Sequence, residues 1–324
     1  ERFKMKSFTL KTLCLIAIFC GSINTAFSQE YPNRPIRVIV PFAPGGVVDV
    51  TTRLLTQKMT ERLGWNFIVE NKPGGNGFIA VTAAATSPPD GYTLLITNSA
   101  ITINPSLFKL PFDTQKLTPV TKIASAPQLL VATTGAPFKN LKEMLAYAKA
   151  NPEKVSMGTA GAGQLSHLAG ELLGKMSGTK YTMVHYKGSG NGVADLISGQ
   201  IMMSFGTAPG LIPHIKNGKM IPIAVSSAAR IPALPQVPSI VELIPGYDLS
   251  NWFGIFAPGQ TSKPVVDKLF QSISKALASP DISGRLTQDG FDSIGLSPEK
   301  FDKSFREELA FWQKFVKENN IKIE

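Results

Sequence analysis

The chain has 324 residues, of which 43% are hydrophobic and 17% charged, and its formal net charge is +10. This composition excludes an intrinsically disordered chain, and the length is sufficient for two domains. No basic cluster interleaved with aromatic residues occurs, so the positive charge does not indicate nucleic-acid binding. A diffuse positive field favours anionic ligands at most.

The N-terminal segment has the pattern of a secretory signal peptide, which we place at residues 1–28. Three lysines precede the apolar run LCLIAIFC (residues 13–20), and small residues follow it. The run is short for a membrane span, and a retained anchor helix is the alternative. Cleavage would remove both cysteines, four of the 33 basic residues and one of the 23 acidic residues, leaving a net charge of about +7 and no thiol.

The rest of the chain alternates between short apolar runs and amphipathic segments, which predicts an α/β fold with mostly parallel sheets. The predicted strands are Ile36–Val40, Asn66–Glu70, Thr93–Thr97, Gln128–Thr133, Lys154–Gly158, Thr182–His185, Ile201–Gly206 and Met220–Val225. The predicted helices are Val47–Leu63, Gly77–Ala85, Leu141–Ala150, Gln164–Met176, Gly192–Ser198 and Pro209–Lys216.

The pattern changes after a ninth predicted strand, Trp252–Ala257, because helices then follow one another. After a start signal at Ser297, apolar residues recur at helical spacing, namely Phe301, Phe305, Leu309, Trp312 and Val316. This segment predicts an amphipathic closing helix whose aromatic stripe packs into the core.

Two strand–loop–helix units have glycine-rich loops, FAPGG at residues 42–46 and TAGAG at residues 159–163. A helix N-terminus has unpaired backbone N–H groups and partial positive charge, and glycine lets a ligand approach the backbone closely. Neither loop fits a nucleotide-binding pattern. We therefore expect both to bind a carboxylate through main-chain amides; simple strand-to-helix turns are the alternative.

Catalysis has little support in this sequence. The three histidines have no metal-binding spacing, and no nucleophile elbow occurs, so we predict no catalytic residue, no metal site and no cofactor. For His167, a role in polar packing or in support of the loop is favoured over a ligand contact and over a catalytic base. For Asp49, an ion pair with Arg53 four residues later is favoured over a ligand contact.

Seven motifs give the chain a close resemblance to a known family. They are YPNRP (31–35) with VIVPFAPGG (38–46), VENKPG (69–74), PDGYTL (89–94), the segment from Gly158 to Ala169, YKG (186–188) with Asp195, LPQVPS (234–239) and WFG (252–254) with Ala257-Pro258. In this order, they resemble the Bug family of periplasmic solute receptors, the TctC-like binding component of tripartite tricarboxylate transporters.

The resemblance implies a two-lobed periplasmic-binding-protein (Venus flytrap) fold with two crossover strands. Residues 29–127 and 255–324 would form lobe 1 and residues 128–254 lobe 2, with Gln128–Thr133 and Trp252–Ala257 as crossovers. A small organic carboxylate would lie between the lobes. The implied ligand contacts are Phe42, Ala43, Pro44, Gly45, Gly46, Val47, Asp49, Asn98, Ser99, Thr159, Ala160, Gly161, Ala162, Gly163, Gln164, His167, Asp195, Thr207 and Ala208.

Differences from the family pattern, and the lack of basic side chains in both loops, indicate the class of ligand. Asn191-Gly192 stands where the family often has proline, Val47-Val48 follows the glycine pair, and neither loop contains a basic side chain. Ile101 and Phe253 would add apolar surface if they face the cleft. These features favour a dicarboxylate or an aromatic acid over citrate.

The family implies capture of the ligand, closure of the lobes, and delivery to transporter membrane subunits by a monomeric periplasmic protein. Two other classes stay open. One is a receptor that passes occupancy to a sensor kinase, and the other is a periplasmic hydrolase or lyase using His167 with Asp49 or Asp195.

Overall fold

The computed structural model describes residues 31–321, apart from residues 43, 46, 75–76, 110–112, 187–188 and 289. The predicted signal peptide therefore lies outside the described residues. The strands are β1 (Ile36–Val40), β2 (Phe67–Asn71), β3 (Thr93–Asn98), β4 (Leu117–Ala132), β5 (Ser156–Thr159), β6 (Thr182–His185), β7 (Met203–Thr207), β8 (Ile221–Val225), β9 (Ser250–Pro258) and β10 (Asp292–Leu296). The helices are α1 (Val47–Leu63), α2 (Phe78–Ala85), α3 (Ala100–Leu107), α4 (Leu141–Ala150), α5 (Leu165–Ser177), α6 (Ser189–Ser198), α7 (Ala208–Lys216), α8 (Lys263–Leu277), α9 (Pro280–Gln288) and α10 (Pro298–Glu318).

The strands form one hydrogen-bonded network with the order β2-β1-β3-β9-β4-β7-β5-β6, and β8 and β10 also pair with β4. Strand β4 joins the two halves of this network. Its residues 117–127 pair with β9, whereas its residues 128–132 pair with β7. The junction between the halves therefore lies at Pro127–Gln128. The lobe limits given above stay a prediction.

The strand directions correct the expectation of mostly parallel sheets. Parallel pairing joins β1 with β2 and β3, and β5 with β6 and β7. All five described pairings that involve β4 or β9 are antiparallel. The sheets are mixed because β4 and β9, the two longest strands, run antiparallel to their neighbours. The parallel pairs come from the β-strand–helix–β-strand units of each half.

The first half of β4 was missed by the sequence prediction, which begins this strand at Gln128. Two prolines, Pro119 and Pro127, argue against a strand interior because proline cannot donate to the ladder. In the structure the register to β9 shifts between Pro119 and Thr121, and Pro127 is the last residue of β4 that pairs with β9. Both prolines thus lie where the ladder is interrupted or changes partner.

Helix α3 and strand β10 were also absent from the sequence prediction. Helix α3 is two turns long and contains Pro105, which removes one intrahelical donor. Strand β10 pairs with residues 122–125 of β4 through an irregular register. Neither element has a strong periodic pattern of its own, so tertiary contacts decide its conformation.

The closing helix α10 is confirmed, and its aromatic stripe packs on β9. Trp252 and Phe256 alternate with Gly254 on one face of β9, and the Phe301 ring lies 5.3 Å from the Trp252 ring and 5.1 Å from the Phe256 ring. Phe305 belongs to the same buried cluster. Burying each such side chain contributes roughly 1.5–3 kcal/mol, so this face is a major part of the core.

A polar cluster around Glu308 links α10 to β9 and α3. The Glu308 carboxylate accepts hydrogen bonds from the Trp252 indole at 2.5 Å, the Thr102 hydroxyl at 2.9 Å and the Trp312 indole at 3.3 Å. Burial raises the pKa of Glu308, although these three donors and Lys122 act in the opposite direction. One side chain thereby ties α3, β9 and α10 together.

Candidate functional site

The carboxyl ends of four strands converge on the β4 junction. Asn98 at the end of β3 pairs with Phe253, which in turn pairs with Ala124, so β1 and β3 run toward Pro127 from one side. Thr207 at the end of β7 pairs with Gln128, so β5 and β7 run toward the junction from the other side. Because both glycine loops follow these strand ends, the register directs them toward each other, as at the crevice of open α/β sheets.

The first glycine loop is held by Asp49 in the first turn of α1. The Gly45 amide donates to Asp49 Oδ2 at 2.9 Å, and Gly45 has φ +82°, which favours glycine. Arg53 Nε donates to Asp49 at 3.0 Å, and Asn71 Nδ2 donates at 2.8 Å. Asn71 also donates to the Phe42 carbonyl at 3.0 Å. The loop is therefore fastened to α1 and β2 by a single carboxylate and its partners.

The charge on Asp49 is stabilised where it lies. Burial by itself raises the pKa of this carboxyl, but the hydrogen bonds from Arg53, Gly45 and Asn71 outweigh it, and the pKa is lowered from its usual value of 3.8. The Asp49 side chain is only 3% exposed, against 51% for Arg53. The predicted helical ion pair is confirmed, and Asp49 also acts as an acceptor for the loop backbone.

The second glycine loop is held in the same way by His167 in the first turn of α5. The Gly163 amide donates to His167 Nδ1 at 3.1 Å, and the Ala160 amide donates to the Ser166 hydroxyl at 2.9 Å. Gly161 and Gly163 have φ +146° and +76°, in the region that glycine tolerates. A Cβ on Gly161 would lie 3.2 Å from the Tyr186 carbonyl oxygen, so the loop also packs closely on the chain after β6.

The hydrogen bond from Gly163 assigns the tautomer of His167. A backbone N–H can only donate, so Nδ1 must be the unprotonated nitrogen and Nε2 carries the hydrogen. Nε2 lies 3.5 Å from Glu171 Oε1, and the His167 ring meets the His185 ring edge-on at 4.6 Å. Burial, and then His167, lower the pKa of His185, while Glu171 acts in the opposite direction. His167 is buried behind the loop as a support, which is the role favoured by the sequence.

Asp195 is paired with Tyr186, which follows the carboxyl end of β6. The Tyr186 hydroxyl donates to Asp195 Oδ2 at 2.7 Å. Burial, and then the hydrogen bond and charge of Asp195, raise the pKa of Tyr186 to about 12, so the phenol stays a donor at neutral pH. The tyrosine ring also lies against Gly158 and Gly192. This pair joins α6 to the second loop.

The predicted ligand contacts at the ends of β3 and β7 differ in their exposure to solvent. Asn98 is half-buried, and its Oδ1 accepts from the Ala100 amide at 3.2 Å. Ser99 is buried, and its hydroxyl donates to Asn251 at 2.9 Å. Thr207 is half-buried at the start of α7, and Ala208 is fully buried. The structure thus leaves Asn98 and Thr207 partly exposed and encloses Ser99 and Ala208.

Several predicted positions lie outside the described residues or pack in the core. Ala43 and Gly46 are outside the described residues, as is the side chain of Val47. Ile101 is 3% exposed in the cluster with Ile39 and Phe256. Phe253 is 1% exposed and meets Phe291 edge-on at 5.4 Å. The suggested apolar contribution of Ile101 and Phe253 to an open cleft therefore has no support.

Sequence reasoning missed the residues that support the loops from a distance. These are Asn71, Ser166, His185 and Tyr186, together with Asn251 behind Ser99. Asn71 and Tyr186 lie within the motifs VENKPG and YKG, which was a usable signal, but no spacing rule connects either residue to its partner.

Within the residues that the structure describes, no group of three or more His, Cys, Asp or Glu side chains is placed to hold a metal ion. The same part of the chain contains no helix with the length and apolar character needed to span a bilayer.

Comparison with known proteins agrees with this architecture. The family model for TctC, the tripartite tricarboxylate transporter family receptor, matches residues 51–321. The chain belongs to the TctC family. BugT of Bordetella pertussis is 31% identical to it over 321 residues, which is 97% of this chain and 98% of BugT. A UPF0065 protein from the tcbD–tcbE intergenic region of Pseudomonas sp. (strain P51) is 34% identical, over 94% of this chain and 92% of that protein.

Solved structures of similar proteins have the same fold. A protein described as a periplasmic transporter is 38% identical, with a TM-score of 0.82 over 91% of this chain and all of the other. An R. palustris protein with adipate has a TM-score of 0.82 at 32% identity, covering 90% and 99% of the two chains. MatC from Rhodopseudomonas palustris, with bound malate, has a TM-score of 0.76 at 31% identity, covering 88% and 100%. The two-lobed α/β fold of TctC receptors is thereby confirmed for this chain.

Proposed function

We propose that this TctC receptor captures a small dicarboxylate between its two lobes, with one carboxylate on each glycine loop. The observation that carries the proposal is the pair of loops directed toward the β4 junction from opposite sides. Each loop ends in a helix N-terminus, where backbone N–H groups and the helix dipole favour an anion. Each is also fastened from behind, by Asp49 or by His167, so little entropy is lost on binding.

The second loop offers the better-defined anion site. In the described part of the chain, no acceptor is hydrogen-bonded to the amides of Ala162 and Leu165. The Gly163 amide is already used by His167, which separates the supporting donor from the donors left for a ligand. In the first loop the Gly45 amide is used by Asp49 in the same way. We therefore propose that the ligand accepts hydrogen bonds from the amides of Ala162 and Leu165 in the second loop, and that the backbone of residues 42–47 contacts it from the first loop.

Side chains around the loops would complete the site. We assign direct contact to Asn98 and Thr207, which are partly exposed at strand ends, and support from behind to Ser99 and Ala208. The Asp195 carboxylate, held by Tyr186, would repel a third carboxylate. This favours a dicarboxylate over citrate, and the bound malate and adipate of two relatives are dicarboxylates of different lengths.

Closure of the lobes on the ligand would present it to a membrane partner. The predicted lobes, residues 29–127 with 255–324 and residues 128–254, would move about β4 at Pro127–Gln128 and about the chain entering β9 at Ser250. A ligand shifts this equilibrium only if it contacts both lobes, which one carboxylate on each loop achieves. We propose a periplasmic monomer, exported by its N-terminal segment, that delivers the ligand to the membrane subunits of a tripartite transporter.

An enzymatic role is not favoured by the site. A general base must be able to accept a proton from the substrate. His167 Nδ1 already accepts from Gly163, and its Nε2 faces Glu171. Asp49 accepts from three groups at once. We propose that neither His167 nor Asp49 acts as a catalytic base.

The proposal predicts stabilisation by dicarboxylates. The full chain would be exported in a bacterial host, purified from the periplasm, and unfolded and refolded to remove bound ligand. Malate, succinate and adipate would be tested beside citrate, benzoate, a neutral sugar and an amino acid. A ligand at 100 times its Kd adds about 2.7 kcal/mol of stability, which raises Tm by roughly 5 °C.

A rise with dicarboxylates and none with the sugar supports the proposal. A larger rise with citrate or with the sugar than with every dicarboxylate would overturn the assignment of one carboxylate to each loop. Retention of the protein in the cytoplasm, with residues 1–28 uncleaved, would contradict the periplasmic role alone.

A further inference from the structure

The two glycine loops are supported by the same type of hydrogen bond, but the accepting side chains differ chemically. In each loop a glycine amide donates to the side chain four residues later, in the first turn of the following helix. Gly45 donates to Asp49 at 2.9 Å, and Gly163 donates to His167 Nδ1 at 3.1 Å. A carboxylate accepts this bond in one lobe, and a neutral imidazole accepts it in the other.

The two acceptors respond differently to acidification. Histidine changes charge between pH 5 and pH 8, whereas an aspartate with a lowered pKa stays ionised throughout that range. A protonated imidazole has two N–H donors and no acceptor. Protonated His167 would therefore present an N–H to the Gly163 N–H, and the hydrogen bond that supports the second loop would be lost.

The surroundings of His167 contain few groups that could replace this bond. Glu171 on the same helix faces Nε2 at 3.5 Å, and the His185 ring on β6 is 4.6 Å away. His185 Nδ1 is itself 2.8 Å from the Thr159 hydroxyl on β5. The core cluster beneath α5 includes Met157 of β5 and Met203 and Phe205 of β7. It also includes Tyr247, whose hydroxyl donates to the Ala169 carbonyl of α5 at 2.8 Å and so offers no acceptor to Gly163. Glu171 can pair with an imidazolium at Nε2, but no described neighbour restores an acceptor for Gly163.

We propose that His167 is a positioning residue that grips the second loop only when it is neutral, so that affinity for a dicarboxylate falls as the solution is acidified. The inference rests on the proposed function. It assigns the pH sensitivity to the second loop, with Asp49 holding the first loop unchanged. Release of the ligand at acidic pH would follow because the second loop loses the hydrogen bond that holds its ligand-binding amides in place.

The test compares three proteins from pH 8 to pH 5: the wild type, His167→Asn and His167→Leu. Asparagine can offer its amide oxygen near the position of Nδ1 and does not titrate, while leucine offers no acceptor. Titration calorimetry with malate and adipate gives the Kd. The wild-type Kd is expected to rise at least tenfold more than that of His167→Asn. His167→Leu is expected to bind at least tenfold more weakly at pH 8, with no extra loss at pH 5.

Protonation of the ligand itself is common to all three proteins and cancels in the comparison. Equal pH profiles for the wild type and His167→Asn would overturn the proposal, even if His167→Leu fails to fold. A second readout needs no ligand: exchange of the Gly163 amide hydrogen with solvent, followed by NMR. Exchange is expected to lose its protection on acidification in the wild type and to keep it in His167→Asn.

These measurements distinguish a failure of the proposed dicarboxylate function from a failure of the proposed role of His167. Absence of malate and adipate binding at pH 8, together with the expected change in Gly163 exchange, contradicts the proposed dicarboxylate function and leaves the His167 support intact. Binding with a flat pH profile and constant Gly163 protection contradicts the role of His167 alone.

Discussion

Replacing Asp49 with leucine is expected to weaken dicarboxylate binding about 100-fold, equivalent to ~2.7 kcal/mol. The substitution removes the acceptor of the Gly45 amide and leaves Arg53 and Asn71 without their shared partner. The first loop then samples conformations in which its amides no longer point at the ligand, and ordering it again costs binding free energy. The stability cost is of similar size, about 1–3 kcal/mol, and is limited because half-exposed Arg53 regains water.

A matched control is available on α10. Asp302 forms the same i,i+4 pair with Arg306, at 2.8 Å, on an exposed helix face. Asp302→Leu removes an acid–arginine pair without touching either glycine loop, so its Kd for malate and adipate should stay within about twofold of the wild type. Calorimetry on both variants decides the matter. Equal affinities for Asp49→Leu and Asp302→Leu would mean that Asp49 does not hold the binding loop.

The pH dependence of the Asp49 support follows from its lowered pKa. A carboxylate with a lowered folded-state pKa contributes stability that is fully present above its unfolded pKa. That contribution is lost as the pH falls below about 3.8 and through the lower folded-state value. The support of the first loop is thus constant over the range in which His167 is tested.

Gly254→Ala is expected to lower the free energy of unfolding by about 3 kcal/mol. A Cβ at Gly254 would lie 2.4 Å from Phe301 Cζ, 2.9 Å from Phe301 Cε1 and 3.0 Å from Trp252 Cζ3. Phe301 is fully buried between Trp252 and Phe256, so the ring has little room to move. Either α10 shifts away from β9 or the strand bends, and both changes disrupt core packing.

Gly284→Ala adds the same methyl group as Gly254→Ala but is expected to raise the free energy of unfolding. Gly284 lies on the exposed face of α9, and nothing is within 4 Å of an added Cβ. Alanine in a helix is favoured over glycine by about 0.5–1 kcal/mol, so this variant should be more stable than the wild type. Urea unfolding of both variants measures the difference. A Gly254→Ala protein as stable as the wild type would show that the β9–α10 packing tolerates an added methyl group.

The sequence by itself determined the elements whose signals are local. Four predicted elements, Ile36–Val40, Val47–Leu63, Leu141–Ala150 and Thr182–His185, have the predicted bounds in the structure. The ends of the first three are marked by glycine, proline or capping residues, and such signals act over a few residues, as does hydrophobic periodicity. The i,i+4 relation between Asp49 and Arg53 is also local, because helical geometry fixes which residues share a face.

Tertiary structure alone decided the features whose partners are distant in sequence. The first half of β4 forms a strand despite two prolines because β9, more than 120 residues later, supplies its ladder. His167 meets His185, and Asn71 meets Asp49, only after separate strands have paired. Gly254 is required by a ring on α10 that no spacing rule connects to it. Loop closure brings such groups together, and since its cost depends on the whole fold, no short stretch of sequence encodes these contacts.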